Sequence, residues 1–299
     1  MANPQSGIFA LGTAAHAYLE FDLPDPRSGG ELVRRIAGLR EPRTTISGVN
    51  LVAGFRPELW RAVAPEHCPA GLTGFNRDLV GPDGYTMPAT QHDAVLWLAG
   101  SAYDILFDTA RLALTALAGL AVVADETASW PYQYDRDLTG FVDGTENPSL
   151  AEAPEVALVP EPGAGAGGSV LLLQKWAHDA TAWEALPDPA QERVLGRTKA
   201  DSVELADRPA DSHVARTDQD RFGHIFRRNT PYGMVTAHGT MFVGFSAEQG
   251  RLSAMLDSMA GRDGGVRDAL TRYTHPVSGG YYFVPSIEAL RALDVSADR

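Results

Sequence analysis

The order of strand-like and helix-like segments in the first 124 residues limits the possible folds more than any other feature of the chain. Apolar residues recur at every second position in some segments and at helical spacing in others. The order is strand, helix, strand, strand, helix, strand, which is that of a ferredoxin-like unit with helices packed on an antiparallel sheet. The predicted strands are 7–22, 49–55, 94–99 and 121–124, the main helices lie at 32–39 and between 101 and 119, and a short helix lies at 57–63.

The second main helix carries clear start and stop signals. Ser101 is predicted to cap it, with Asp104 in its first turn, where the helix dipole favours a carboxylate. Gly119 is predicted to end it. The apolar face that would pack on the sheet consists of Ile105, Leu106, Leu112, Ala113, Ala116 and Leu117.

The second half of the chain repeats this pattern less clearly. We expect two ferredoxin-like units, residues 1–134 and 135–299, and hence an α+β fold with antiparallel sheets. The duplication rests on element order, because the sequence contains no convincing repeat. The predicted strands here are 170–176, 224–227, 241–245 and 281–284, and the predicted helices are 180–185, 190–195 and 248–259.

Composition is that of a globular protein with an acidic surface. Of the 299 residues, 44% are hydrophobic and 21% are charged, which provides enough apolar material for a core. The net charge of -13 repels phosphate backbones, so nucleic acid is not an expected partner. Cys68 is the single cysteine, which excludes an intramolecular disulfide, and we expect it to be passive. No leader segment or membrane-length apolar run is present, so we expect a cytoplasmic protein without a membrane partner.

One stretch holds a carboxylate between two glycines. Residues 140–148 read Gly-Phe-Val-Asp-Gly-Thr-Glu-Asn-Pro, with Asp143 at the centre. Glycine allows backbone conformations that present a carboxylate at a fixed angle, although these residue types are also typical of a surface turn. Enzymes that form an aspartyl-phosphate use Asp-x-Asp-Gly-Thr, but Phe141 stands where their nucleophile is needed. The glycines at 162–168 precede a strand instead of opening a helix, which excludes a dinucleotide-binding loop.

The stretch 140–148 also resembles the GxxDG signature of the dye-decolorizing peroxidases, in the extended form of their B-type group. The resemblance implies that Asp143 is a distal catalytic residue above a haem. It also implies that Gly144 and Thr145 contact this cofactor, which would be haem b (iron protoporphyrin IX) in the C-terminal unit. Similar segments run from about 7 to 290 and include a closing segment at 277–286.

The eight histidines give no zinc-type pair. From the residues alone, His213 is a loop histidine beside charged residues, and nothing selects it as a ligand. The segment Ser212-His213-Val214 is, however, similar to the segment in which B-type peroxidases carry their proximal haem ligand. The resemblance therefore implies that His213 is the axial ligand of the iron, held by an acceptor that the sequence does not identify.

Residues 225–233 contain two adjacent arginines, for which a solvated edge strand ended by Pro231 is one interpretation. The segment also resembles the distal segment of the family, where an Arg stands two residues before an Asn or Ser and ahead of a Pro-aromatic-Gly turn. That resemblance implies Arg227 and Asn229 as distal catalytic residues. Strand alternation agrees, because residues 227 and 229 share a face from which Arg228 points away.

Arg197 lies in Gly-Arg-Thr-Lys, which is similar to a further family segment. The resemblance implies a bidentate contact with a haem propionate, and a surface salt bridge is the alternative.

The function implied is that of a haem-dependent peroxidase. It would use hydrogen peroxide to oxidise dyes, phenolics or similar small-molecule reductants through a ferryl intermediate. Because an Asp near an Arg should be ionised from about pH 4 upward, we expect an acidic optimum for substrate oxidation. A homo-oligomer is also expected. A haem- or porphyrin-handling protein on the same scaffold is the alternative, and a binding module without haem is a second one.

Overall fold

The computed structural model describes residues 2–39 and 48–293. Helices and antiparallel strands alternate in these ranges, as an α+β fold requires. The strands are β1 Ala15–Asp22, β2 Val49–Phe55, β3 Leu79–Val80, β4 Thr86–Met87, β5 Ala94–Gly100, β6 Val122–Ser129, β7 Ser169–His178, β8 Phe226–Arg227, β9 Thr230–Met234, β10 Ala237–Ser246, β11 Thr274–Pro276 and β12 Gly280–Val284. The helices are α1 Gly29–Ala37, α2 Pro57–Val63, α3 Tyr103–Leu117, α4 Ala153–Ala157, α5 Ala180–Glu184, α6 Asp188–Leu195, α7 His213–Arg216, α8 Gln219–Phe222, α9 Gln249–Met259 and α10 Ile287–Arg291.

The two halves of the chain build the same sheet topology. In the N-terminal half the strand order is β2-β5-β1-β6, and in the C-terminal half β12, β7, β10 and β9 are neighbours in that order. Both correspond to the fourth, first, third and second strands of a ferredoxin-like unit, read from one edge or the other. The predicted pair of ferredoxin-like units is therefore confirmed, while the division at residue 134 stays a prediction.

The two sheets join edge to edge into a closed ring of eight strands. At each junction the two strands pair at a single residue. Phe283 of β12 lies opposite Phe55 of β2, and Ser129 of β6 lies opposite Tyr232 of β9. Inward-facing side chains such as Tyr18, Trp97 and Phe245 form a buried cluster inside the ring. Helices α1, α3 and α9 pack on the outer faces of the sheets, where they form a second and larger core.

Several predicted elements differ from the structure at their ends. The first strand begins at Ala15 and not at residue 7, because residues Ser6–Phe9 form a 3-10 turn that packs against β2. Ala102, not Ser101, is the N-cap residue of α3. Leu112 is 70% exposed although it was expected in the apolar face, because the buried positions of α3 are Leu106, Thr109, Ala113 and Leu117.

Pro231 lies inside β9, although one interpretation of the sequence ended a strand at this proline. Its carbonyl oxygen accepts a hydrogen bond from the N–H of Trp130, on the side that faces β6. A proline has no N–H to donate. The backbone nitrogen of Pro231 faces β6, so the β9–β10 ladder loses no hydrogen bond. The ladder between β9 and β10 is therefore kept.

Within residues 2–39 and 48–293, no helix is long and apolar enough to cross a lipid bilayer.

Candidate functional site

A cavity of about 280 Å³ lies against the outer face of the C-terminal sheet. All of its lining residues fall between Asp137 and Thr274, so the C-terminal half alone builds it. Strand alternation turns every second residue of β7 towards the cavity, and α9 contributes residues at helical spacing. The apolar walls include Leu172, Phe242, Ile225, Leu252, Met255, Leu256 and Met259.

The loop of residues 140–148 holds Asp143 at the cavity wall. The backbone N–H of Asp143 donates to the carbonyl of Asp135 at 2.8 Å, and its Oδ1 accepts from the N–H of Gly144 at 2.7 Å. Gly140 and Gly144 have φ of +89° and +77°, a region that disfavours side chains. The glycines thus allow a tight turn that fixes the carboxylate, as the sequence suggested.

Asp137 is a second carboxylate of this wall, which sequence reasoning missed. Its Oδ1 accepts from the N–H and the hydroxyl of Thr139. Burial, followed by the negative charge of Asp143, raises the pKa of Asp137 to about 6. Two carboxylates with different environments are therefore available for proton transfer in one cavity. Asp137 lies three residues before the motif, and no pattern in the sequence marked it.

His213 opens α7 and lies at the cavity wall. Its Nδ1 is 2.7 Å from Oδ2 of Asp268, whose side chain is 0% exposed. The other oxygen of Asp268 accepts from the N–H of Leu270 at 2.9 Å. A carboxylate at Nδ1 fixes the tautomer in which Nε2 carries the lone pair, as a metal ligand requires. Asp268 is the acceptor that the sequence could not identify, because it follows a glycine-rich turn without a motif.

Arg227 and Asn229 both line the cavity, whereas Arg228 points into the ring. Oδ1 of Asn229 accepts from the N–H of Val243 at 3.1 Å. The Arg228 guanidinium donates to the carbonyls of Gly7, Ile8 and Ala10 and lies 5.0 Å from the ring centroid of Trp97. The solvated edge strand is therefore wrong for Arg228, which is buried.

Arg197 lines the cavity with Gly144 and Thr145. Its guanidinium forms ion pairs with Glu146 and, at 2.8 Å, with Glu204. These pairs correspond to the salt-bridge interpretation of the sequence, but their position at the cavity also leaves Arg197 within reach of a bound anion.

The cavity has the chemistry that a haem requires. Arg227 Nε, Gln174 Nε2 and Ser202 Oγ are buried polar atoms without a hydrogen-bond partner, and all three residues line it. In the described part of the chain, no group of three or more His, Cys, Asp or Glu side chains could hold a metal ion. A porphyrin brings four ligands of its own, so a single imidazole such as His213 is sufficient. The apolar walls and the one oriented imidazole therefore fit a haem.

Comparison with known proteins gives a consistent result. A family model described as Dyp-type peroxidase, C-terminal, matches residues 134–289. A dye-decolorizing peroxidase of Mycolicibacterium paratuberculosis is 37% identical over 269 residues, which cover 87% of this chain and 74% of the relative. A Dyp-type peroxidase protein of Shewanella oneidensis has a crystal structure with a TM-score of 0.88 at 31% identity, covering 98% of this chain and 99% of that chain. DyPB of Rhodococcus jostii RHA1 gives 0.84 at 31% identity, covering 99% of both chains, and variants of it are solved in complex with heme.

Proposed function

The chain belongs to the dye-decolorizing peroxidase family, and we propose that Asp143, Arg227 and Asn229 carry its peroxide chemistry above a haem held by His213. The chain is a haem-dependent peroxidase, an oxidoreductase that consumes hydrogen peroxide and a reductant. One observation supports the residue assignment most strongly. A single cavity contains an imidazole oriented by a buried carboxylate, a second carboxylate on a rigid loop, and an arginine whose Nε has no partner.

His213 would bind the iron through Nε2. Asp268 accepts a hydrogen bond from the Nδ1–H of His213, which keeps the imidazole in the tautomer that binds iron and increases its basicity. Arg197 would pair with a haem propionate, and Gly144 and Thr145 would contact the porphyrin. When bound, the haem supplies the iron at which the peroxide O–O bond is cleaved and stores the oxidising equivalents.

Cleavage of hydrogen peroxide needs a base for its first proton and an acid for the departing oxygen. Asp143 would take the proton from one peroxide oxygen and return it to the other, which leaves as water. The guanidinium of Arg227 would stabilise the negative charge that develops on the oxygens, and Asn229 would orient peroxide or water by hydrogen bonding.

Reduction of each peroxide to two water molecules takes two protons and two electrons. The reductant supplies the electrons, and a phenolic reductant releases protons as well. Asp137, which is protonated below a pH of about 6, can supply protons to the same cavity. A carboxyl group in the cavity that is neutral at acidic pH supports the acidic optimum expected from the sequence.

The finer assignments are also proposals. We propose haem b because His213 supplies an imidazole and the lining residues include no cysteine for a thioether bond. Self-association is supported by apolar side chains exposed at the turn between β9 and β10, Met234 and Val235, and light scattering tests it. Cytoplasmic residence stays a prediction from the sequence, which cell fractionation tests.

The deciding experiment is an absorption spectrum of the haem-loaded protein before and after one equivalent of hydrogen peroxide. We expect a ferric Soret band that changes on addition of peroxide, and a much slower change in Arg227→Leu. A Soret band that does not change on addition of peroxide would favour the haem-handling alternative. The comparisons with known proteins do not favour that alternative. Absence of a Soret band after haem loading would refute the whole assignment.

A further inference from the structure

We propose that Asn147 is the positioning residue that fixes Arg227 relative to Asp143. The side chain of Asn147 contacts the backbone of Arg227 twice. Its Oδ1 accepts from the Arg227 N–H and its Nδ2 donates to the Arg227 carbonyl, both at 2.9 Å. The inference rests on the distal roles proposed above for Asp143 and Arg227.

These two hydrogen bonds satisfy the backbone groups of Arg227 on the side away from β10. Strand β8 is two residues long, and Arg227 lies opposite Gly244 of β10. The hydrogen bond to β10 comes from the next residue, Arg228, whose N–H donates to the Val243 carbonyl at 2.8 Å. Asn147 thus offers the donor and acceptor that a neighbouring strand would provide. Because so short a strand has little support of its own, the place of Arg227 depends on this amide.

The other end of the connection is the turn that carries Asp143. The Asn147 N–H donates to the Gly144 carbonyl at 2.9 Å, and the Gly144 N–H donates to Oδ1 of Asp143 at 2.7 Å. The same turn includes Glu146, which pairs with Arg197. A chain of hydrogen bonds therefore links the distal carboxylate to the backbone of an arginine that lies 80 residues after Asn147. This linkage sets the separation of the two groups that must act on one peroxide.

Two substitutions in the haem-loaded protein test the proposal. Asn147→Ala removes both hydrogen bonds, and we expect the peroxide-induced Soret change to slow by about 10- to 100-fold. We also expect ferric haem to bind fluoride about tenfold more weakly, because a bound anion accepts a hydrogen bond from a well-placed guanidinium. Fluoride titration is an equilibrium measurement and does not depend on turnover.

Asn147→Asp separates positioning from a loss of fold. A protonated carboxyl has the shape of an amide and can make both hydrogen bonds, whereas an ionised one opposes the Arg227 carbonyl. Relative to the unmodified protein at the same pH, this variant should therefore react and bind fluoride normally at low pH and lose both as its carboxyl ionises. If the defect of Asn147→Asp does not depend on pH, the proposal is overturned. This test remains decisive even when Asn147→Ala does not fold.

Asn76→Ala is the matched control. The amide of Asn76 also makes two hydrogen bonds, to Glu58 at 2.8 Å and from Arg56 at 2.7 Å, but it lies outside the cavity. It should change neither measurement. If Arg227→Leu impairs both measurements and Asn147→Ala impairs neither, the positioning role is wrong while the distal role of Arg227 stands. If Arg227→Leu impairs neither, the distal assignment fails, and with it this inference.

Discussion

The substitution Asp268→Asn tests how this protein holds its haem. Asp268 is fully buried, and its two oxygens have different partners, His213 Nδ1 at 2.7 Å and the Leu270 N–H at 2.9 Å. Asparagine keeps one oxygen for Leu270, so the local backbone should survive. Its NH2 group then faces His213 Nδ1 and donates where the carboxylate accepted. The proton of the imidazole moves to Nε2, the atom that binds the iron.

The expected magnitude follows from the bond that is lost. A hydrogen bond to a charged group contributes about 1.5–3 kcal/mol, and loss of the partner of a metal-bound histidine weakens affinity about 10- to 100-fold. A tenfold change corresponds to about 1.4 kcal/mol, so the two figures agree. Removal of the negative charge should also raise the reduction potential of the iron, because a less basic imidazole stabilises the ferric state less.

Haem titration of the haem-free protein, followed at the Soret band, measures the affinity, and a spectroelectrochemical titration measures the potential. Asp125→Asn is the control. Asp125 is a partly buried carboxylate whose Oδ2 lies 2.7 Å from Lys175 Nζ, and neither residue lines the cavity. It should leave both quantities unchanged. An Asp268→Asn protein with unaltered affinity and potential would show that His213 is not the ligand or that its tautomer is fixed by another group.

Three further predictions concern the loop of residues 140–148 and the interior of the eight-stranded ring. Asp143→Asn removes the proposed proton acceptor and should slow the peroxide-induced Soret change about 10²- to 10⁴-fold; a rate within threefold of the unmodified protein would exclude that role. His16 is 2% exposed, and burial lowers its pKa to about 4 from an ordinary value of 6.5. The unfolded chain therefore binds the proton first, so the contribution of neutral His16 is complete above pH 6.5, and about 3 kcal/mol is lost as the pH falls to 4. Urea titrations at several pH values should show this loss, and it should be absent in His16→Gln. Gly144→Ala forces a side chain into φ +77° with its Cβ 3.2 Å from Asn147 Nδ2 and should lower the free energy of unfolding by about 1–2 kcal/mol. Gly250→Ala, in a helix with nothing within 4 Å, should not lower it.

Local elements were predictable because their signals are local. The strand Val49–Phe55 and the helix Pro57–Val63 have the predicted bounds, since alternation and an N-terminal proline identify them. Pro231 was misleading because its effect depends on which neighbour its missing N–H faces, and that is a property of the assembled sheet. Closure of the ring was unpredictable for the same reason, because each junction joins residues that are far apart in the chain.

The sequence likewise identified some residues of the candidate site and missed others. Family resemblance selected Asp143, His213, Arg227 and Asn229, and the structure places all four at one cavity. Asp137 and Asp268 were missed, since a single carboxylate in a loop gives no signal until the fold brings it beside its partner. Their contribution lies in burial and in the distance to one other residue, which composition and spacing do not record.

The closed ring makes the two ferredoxin-like units poor candidates for independent expression. Separation would break the pairing of β2 with β12 and of β6 with β9, and would leave these four strands as exposed sheet edges with unpaired N–H and C=O groups. Such rows are templates for pairing with foreign strands, so isolated halves should aggregate or exchange strands with one another. Mixed in equal amounts, the halves should recombine into the complete ring. The closed ring therefore favours one continuous chain over two separately expressed halves.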